Sequence, residues 1–229
     1  MSLKNKVIFV MLFYMANLTI FTELSPVQIA FFIVVPVVIA IFLFVCLYFP
    51  ISHVYRRKHF QIHCYKKVYK VALNNDYYII NQFRFKNDNS ALAGVDHILF
   101  GNKYIYVIMS LYYEGDLVGK YNDKSLIFIT HKGKKCYTDN PYNQVKLLTS
   151  KLSSSTGVDA SLMIGIVLIN DDCKVAVQSE SKQFYIIQRK RFAALIKAIE
   201  SRPIETINED QLSKAVQQIA KETKKRKEK

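Results

Sequence analysis

The chain has 229 residues, a formal net charge of +14 and a hydrophobic fraction of 51%. This length accommodates one domain and a membrane anchor, and the charge favours anionic partners, nucleic acid or anionic lipid, although a solvated basic surface without a ligand remains an alternative. The four cysteines are scattered without a C-x-x-C pair, which argues against a disulfide framework and against a cysteine-rich zinc site.

Two apolar runs open the chain, at residues 7–24 and 28–51. The second has the roughly 20 apolar residues that a bilayer core requires, and the first lies near the lower limit. The connection between them, Thr22–Gln28, contains no Lys or Arg, whereas basic residues flank the pair on both outer sides: Lys4, Lys6, Arg56, Arg57 and Lys58. The two runs therefore predict a transmembrane helical hairpin in residues 1–52 of a multi-pass cell-membrane protein. By the positive-inside rule, we expect the N-terminus and the C-terminal domain both to be cytoplasmic. A cleaved signal peptide is the alternative, but a small-x-small cleavage site is missing.

The segment that follows, 53–75, is basic and has apolar residues at helical spacing, which predicts a juxtamembrane helix. Five segments rich in aromatic and β-branched residues come next and predict strands: Tyr77–Phe85, Ala93–Phe100, Tyr104–Met109, Asp116–Gly119 and Ser125–Thr130. A turn at Gly101-Asn-Lys103 makes the second and third of these strands a hairpin.

The second half of the chain predicts three helices and two strands. Asn140 before Pro141 is typical of a helix start, and we expect that helix to run to about Ser153. The unbroken apolar run Leu162–Ile169 predicts a strand that is buried on both sides. A strand at Phe184–Ile187, a helix at Arg191–Glu200 and an amphipathic helix from Asn208 complete the order. We predict one cytoplasmic α/β domain around a mixed sheet over residues 53–205, followed by an amphipathic helix and basic tail over 206–229.

Three short motifs occur in order between residues 65 and 170. They are Val95-Asp-His-Ile98, the strand and turn Val107–Gly119, and the helix start Asn140-Pro-Tyr-Asn-Gln144. In this order and spacing the chain resembles the nuclease-related domain (NERD) family, which is similar to the PD-(D/E)XK, restriction-endonuclease-like superfamily. The resemblance implies a restriction-endonuclease-like fold behind the membrane hairpin.

The resemblance also implies a metal site. Such nucleases hold Mg²⁺ with a strand Asp and a Glu of the next strand, and a Lys two residues after the Glu lies on the same strand face. Asp96 matches the Asp and Gln144 matches a Gln of the helix, but Met109 stands at the Glu position and Leu111 at the Lys position. Because neither replacement binds Mg²⁺ or stabilises negative charge, we expect a degenerate, catalytically inactive site without a cofactor.

An active Mg²⁺-dependent nuclease with relocated ligands stays open. Glu114 and Asp116 are two residues apart and are the candidate replacements, with Asp76 as a further contributor. The simpler interpretation of the first two is a polar turn around Gly115. Asp96 itself is either an inherited buried carboxylate or a residual metal or phosphate site.

Other polar clusters carry weaker signals. His97 follows Asp96, but neighbours on a strand face opposite sides, so we expect no catalytic dyad. His59 and His63, spaced four apart beside Cys64, suggest a metal pair without a further ligand cluster. The interleaved tyrosines and lysines of residues 65–70 suit single-stranded nucleic acid or an interfacial aromatic belt, and their closeness to the membrane run favours the belt.

Together these patterns predict a membrane-anchored, inactive nuclease-related domain that binds nucleic acid or a protein partner at the cytoplasmic membrane face. The alternatives are the active nuclease and a purely structural membrane adaptor. The latter would have no affinity for nucleic acid at physiological salt.

Overall fold

A computed structural model describes residues 25–85, 93–178 and 181–224. The chain divides into two units after Arg56. Helix α1, Pro26–Asn75, supplies the described part of the first unit and contributes its last turns, from Arg57 onward, to the second.

In the first unit, α1 is long and apolar enough to cross a membrane, by its length and composition. It is one helix and not a hairpin of two spans within the described residues, because the predicted first span, 7–24, lies outside them. The predicted second span, 28–51, and the predicted juxtamembrane helix, 53–75, both lie in this one helix, which continues through Pro36 and Pro50 to Asn75. A proline removes a single backbone donor and bends a helix without having to end it.

The second unit is a mixed α/β structure with two sheets. Its strands are β1 Tyr78–Phe85, β2 Ala93–Phe100, β3 Ile105–Leu111, β4 Gly115–Lys120, β5 Ser125–Thr130, β6 Lys135–Asp139, β7 Met163–Ile169, β8 Val175–Gln178 and β9 Phe184–Gln188. Its further helices are α2 Pro141–Thr156, α3 Phe192–Glu200 and α4 Glu209–Lys224, with short 3-10 turns at Ala160–Leu162 and Arg189–Arg191. The five-stranded sheet has the order β1-β2-β3-β7-β9 and the four-stranded sheet the order β6-β5-β4-β8.

The five-stranded sheet is buried on both faces. Phe60, Cys64 and Val68 of α1 pack with α3 on one face, and α2, α4 and residues of the second sheet pack on the other. Every residue of β7 is buried, and β7 lies parallel to both β3 and β9. This confirms the prediction from the continuous apolar run, because a strand covered by helices on both faces needs no polar alternation.

The start of α2 is also as predicted. Asn140 accepts a hydrogen bond from the Tyr142 N–H at 3.0 Å, and its amide donates to the carbonyls of Tyr121 at 2.9 Å and Asp123 at 2.7 Å. One buried side chain therefore caps the helix and fastens the β4–β5 turn to it.

The prediction of a single mixed sheet is wrong, because β6 and β8 were missed. β6 alternates between exposed and half-buried positions, and β8 has only four residues. Both are edge strands of the four-stranded sheet, where few apolar residues are needed.

Candidate functional site

The central feature is a bend in the β1–β2 pair. β1 and β2 pair Asn81 with His97 and Phe83 with Val95, but the position between them, Gln82 opposite Asp96, is absent from the ladder. Gln82 has a φ of 55°, in the left-handed region that non-glycine residues seldom adopt. Strain of this kind, about 1–2 kcal/mol per residue, concentrates at functional sites.

The bend turns Asp96 and His97 to the same side. In a regular strand Val95 and Ile98 would face opposite sides, yet both are buried in the core cluster on the α2 face. β2 is therefore bent between them. Both Asp96 and His97 line one cleft of about 550 Å³, so the expectation that they face opposite sides is wrong.

Within this cleft, Asp96 is anchored to β3. Its Oδ2 accepts a hydrogen bond from the backbone N–H of Ser110 at 2.6 Å. Ser110 also lines the cleft, but its hydroxyl is buried and lies beside the Cys64 thiol. The cleft thus offers a carboxylate that is held in place by the backbone of β3.

Basic and amide side chains form the rest of the cleft wall. Lys58, Gln61 and Tyr65 come from α1, and Asn81, Gln82 and Arg84 come from β1. Neither Lys58 nor Arg84 forms a salt bridge with a carboxylate of the described residues. The sequence motifs do not group these residues with Asp96. The available signal was the polar series 81, 82 and 84 inside an otherwise apolar strand.

His97 is held as a neutral ring. Its Nδ1 lies 2.7 Å from Asn81 Oδ1, which can only accept, so the Nδ1–H donates. Burial lowers the pKa of His97 below its usual 6.5, and the negative charge of Asp96 opposes that shift only in part.

Met109 and Leu111 lie on the opposite face of β3. Met109 is 8% exposed and buried in the core cluster on the α2 side, and Leu111 packs against the same cluster. Ser110, between them, faces the cleft with Asp96. The positions that would carry the Glu and Lys of a nuclease are thus part of the hydrophobic core and are not brought together with Asp96.

The other predicted site residues also lie apart from Asp96. Gln144 is half-buried in the first turn of α2 and is not among the residues lining the cleft. Asp116 is on β4, in the other sheet, where its Oδ1 accepts from the Lys174 N–H at 2.9 Å. Glu114 lies in the β3–β4 turn, and Asp76 is exposed just after α1. The structure therefore does not bring Glu114, Asp116 or Asp76 into the cleft of Asp96.

This donor set does not fit a bound Mg²⁺. A Mg²⁺ site requires carboxylate oxygens in near-octahedral geometry, and Asp96 is the one carboxylate that lines the cleft among the residues that the structure describes. One of its oxygens is engaged by the Ser110 amide, and Lys58 and Arg84 line the same cleft. No group of three or more His, Cys, Asp or Glu side chains that could hold a metal exists in the described ranges.

The His59–His63 pair does not supply a second metal site of the predicted kind. The two rings are in contact, 4.2 Å between centroids, on adjacent turns of α1. Cys64 is buried in the core instead of lying beside them, and burial raises the pKa of its thiol to about 12. A protonated, buried thiol is not a metal ligand.

Residues 63–170 match the family model of the nuclease-related domain (NERD). These residues are therefore similar to a nuclease-related domain. The match covers the last turns of α1, β1–β6, α2 and β7, which is the region where the three sequence motifs occur. It includes Asp96, Ser110, Met109 and Leu111, so the cleft lies largely within the matched residues.

Other comparisons add little to this. A solved structure, the crystal structure of the protein of unknown function AF1548, is similar with 8% sequence identity. The alignment covers 71% of this chain and 97% of that chain with a TM-score of 0.29, which is too low to carry an argument. No curated protein sequence matches the chain significantly.

Proposed function

We propose that this chain is a membrane-anchored protein whose nuclease-related domain binds nucleic acid and does not hydrolyse it. The observation that carries the proposal is the composition of the cleft around Asp96. Among the described residues it has two cations without a carboxylate partner, several amides and a single carboxylate.

The cleft chemistry suits a nucleotide strand. Lys58 and Arg84 are donors for phosphate oxygens, and arginine can make two parallel bonds to one phosphate. The amides of Gln61, Asn81 and Gln82 present both donors and acceptors, as base edges require. The exposed ring of Tyr65 offers a stacking surface at the same wall.

The described residues of the cleft do not provide the groups that metal-assisted hydrolysis requires. Metal-assisted cleavage needs an ion that is fixed by several ligands and an activated water. Met109 and Leu111 lie in the core on the other face of β3, and neither of them could supply a ligand or a charge. We therefore infer that the domain retains the binding part of a nuclease site and has lost the catalytic part.

The membrane part of the proposal rests on α1 and on the basic residues that flank the apolar runs. The 26–56 segment meets the length and composition of a membrane span. The absence of Lys and Arg between the two sequence runs favours both termini on the cytoplasmic side. In that arrangement the bilayer is one partner and a cytoplasmic nucleic acid the other.

The test is binding of labelled DNA and RNA by the full chain in zwitterionic nanodiscs. We expect a double Lys58→Gln, Arg84→Gln variant to lose about tenfold or more in affinity at about 150 mM salt, because two phosphate contacts disappear. A Lys132→Gln variant is the matched control, since Lys132 is exposed in the β5–β6 turn and is not among the cleft residues.

Absence of any nucleic-acid affinity would reject the proposal and select a structural membrane adaptor. Equal losses in the cleft variant and in the Lys132 control would show that the binding is diffuse, and would also reject the cleft as the site.

A further inference from the structure

A second basic depression lies on the other side of the α1 turns that form the cleft wall. It is a groove of about 370 Å³ lined by side chains of α1 and of the 3-10 turn after β9: His63, Lys66, Lys67, Lys70, Arg189 and Lys190. All six are basic. None of them lines the cleft of Asp96, so the groove is separate from the site described above.

The spacing along α1 explains why the two depressions share a wall. Lys58, Gln61, Ile62 and Tyr65 recur at three- and four-residue intervals and line the cleft. His63, Lys66, Lys67 and Lys70 recur in the same way and line the groove. The two rows occupy the two flanks of the exposed side of a helix whose diameter is about 10–12 Å with side chains. A flexible polymer of a few nucleotides can cross such a helix and reach both depressions.

The far wall of the groove is rigidly built. Asp171 Oδ2 accepts from Arg189 Nη2 at 2.5 Å and from Arg189 Nε at 3.2 Å. Its Oδ1 accepts from the Lys190 backbone N–H at 2.8 Å. Asp171 thus fixes the 3-10 turn and offsets one positive charge. Its own pKa is lowered despite its partial burial, because Arg189 and the Lys190 N–H stabilise the carboxylate.

The rest of the groove remains strongly positive. Lys66, Lys67, Lys70 and Lys190 form no salt bridge with a carboxylate of the described residues. The positive charge of the groove also affects His63: its pKa is lowered by burial and by the nearby charges of His59, Arg189 and Lys66. A groove with several unpaired cations attracts a ligand that carries successive negative charges.

Two tyrosines lie between the cleft and the groove. Tyr65 and Tyr69 are 40% and 42% exposed, and their rings are stacked with centroids 5.9 Å apart and planes 15° from parallel. Tyr65 also contacts His97, 5.8 Å between centroids. The pair is an aromatic platform that adjoins the cleft and is flanked by Lys66 and Lys70.

This environment changes the interpretation of the tyrosine–lysine series. An interfacial aromatic belt was favoured from its closeness to the apolar run, but α1 at this level packs on the five-stranded sheet, and Tyr65 lines a cleft of that domain. The bases of a single strand can stack on exposed rings. The bases of a duplex cannot, because they are already stacked and paired with one another.

We propose that the ligand of the nuclease-related domain is a single-stranded nucleic acid that passes from the Asp96 cleft over Tyr65 and Tyr69 into the lysine groove. The inference rests on the proposed function and names its ligand class. Bases stack on the tyrosine pair, and the phosphates that follow lie against Lys66, Lys67 and Lys70.

The experiment compares a single-stranded oligonucleotide of about 15 nucleotides with a duplex of the same length, a size within the range of single-strand binding grooves. The full chain in zwitterionic nanodiscs is titrated at salt concentrations between about 50 and 200 mM. The variants are Tyr65→Leu with Tyr69→Leu, and Lys66→Gln with Lys70→Gln. The matched controls are Tyr137→Leu, at a tyrosine 83% exposed on β6, and Lys132→Gln.

We expect the single strand to bind more tightly than the duplex. The tyrosine variant should lose about tenfold or more for the single strand and keep its salt dependence, because stacking releases no counterions. The lysine variant should lower the slope of log affinity against log salt by about 0.7 for each lysine. The controls should change neither quantity.

Binding that persists in the tyrosine variant, or that favours the duplex, would overturn the inference and leave the proposed function standing. Loss of binding in the Lys58, Arg84 variant alone, with both groove variants unaffected, would do the same. If the groove lysines affect only attachment to vesicles of anionic lipid and not oligonucleotide affinity, the groove is a lipid site and the inference fails. Absence of all nucleic-acid binding would reject the proposed function itself.

Discussion

At the residue scale, Asp96 has two separable roles. Its carboxylate accepts a hydrogen bond from the Ser110 N–H at 2.6 Å, and its negative charge offsets part of the positive charge of the cations that line the same cleft. Asp96→Asn keeps an acceptor for the amide and removes the charge. We predict that this variant binds nucleic acid about fivefold more tightly, since a repulsive pair at short range in water is worth about 1 kcal/mol.

Asp96→Ala is the comparison. It leaves the Ser110 N–H unsatisfied, which we expect to cost about 1–3 kcal/mol of unfolding free energy, measured by urea titration. A loss of affinity in Asp96→Asn would show that the carboxylate binds the ligand through a metal ion or a base, and would contradict the account.

His97 gives the domain a pH-dependent stability. Its pKa is lower in the folded chain than the usual 6.5, so the unfolded chain binds the proton more readily. Its contribution is therefore complete above about pH 6.5 and is lost as the pH falls through the lowered pKa. We predict that the unfolding free energy declines between about pH 7 and pH 5, and that His97→Gln makes the decline shallower.

The pKa of His63 is also lowered, so part of the slope should remain in the His97→Gln variant. An identical slope in the variant and the unmodified chain would contradict the proposed burial of a neutral His97.

At the element scale, the two faces of β3 carry different parts of the remnant site: Ser110 faces the cleft of Asp96, and Met109 and Leu111 face the core. Restoring the family residues with Met109→Glu and Leu111→Lys would place charges against the α2 core and not in the cleft. We predict that Met109→Glu lowers the free energy of unfolding by about 3–5 kcal/mol, because it buries a charge without a partner. We predict no gain of nuclease activity. Met109→Leu is the control and should cost less than about 1.5 kcal/mol.

Thermal unfolding and a metal-supplemented cleavage assay check this prediction. Restored cleavage by a stable Met109→Glu, Leu111→Lys variant would show that β3 presents both positions to Asp96, contrary to the structure.

The elements that could be predicted from the sequence are those with a strong local signal. The apolar run of β7 and the Asn140–Pro141 start of α2 are examples, because burial and capping are written in neighbouring residues. The helical spacing of apolar residues over 53–75 likewise predicted the last turns of α1. The edge strands β6 and β8 were missed since partly exposed positions show little apolar bias.

The candidate site was predictable only in part, and for a similar reason. Asp96 follows from the motif order, but its neighbours depend on the bend at Gln82. That bend turns Asp96 and His97 to one cleft, which Ser110 of β3, Lys58 and Arg84 also line. Strand alternation alone predicts the opposite placement, so a rule that holds for regular strands failed at the candidate site.

At the scale of the whole molecule, the apolar segment should determine where the chain resides. We predict that the full chain stays in the membrane fraction after a carbonate wash, and that removal of residues 1–56 transfers it to the soluble fraction. A C-terminal tag should be digested by protease only when the cytoplasmic face is exposed. Release of the full chain by carbonate would contradict the anchor, and protection of the tag would contradict the orientation.

The most direct measurement incubates the full chain in zwitterionic nanodiscs with single- and double-stranded DNA and RNA, with Mg²⁺ or Mn²⁺ and with chelator. Binding and product formation are recorded in parallel for the unmodified chain and for Asp96→Ala. The account predicts binding that does not require metal and an intact nucleic acid under every condition. Metal-dependent cleavage that disappears in Asp96→Ala would contradict it and would mean that the catalytic ligands have been relocated.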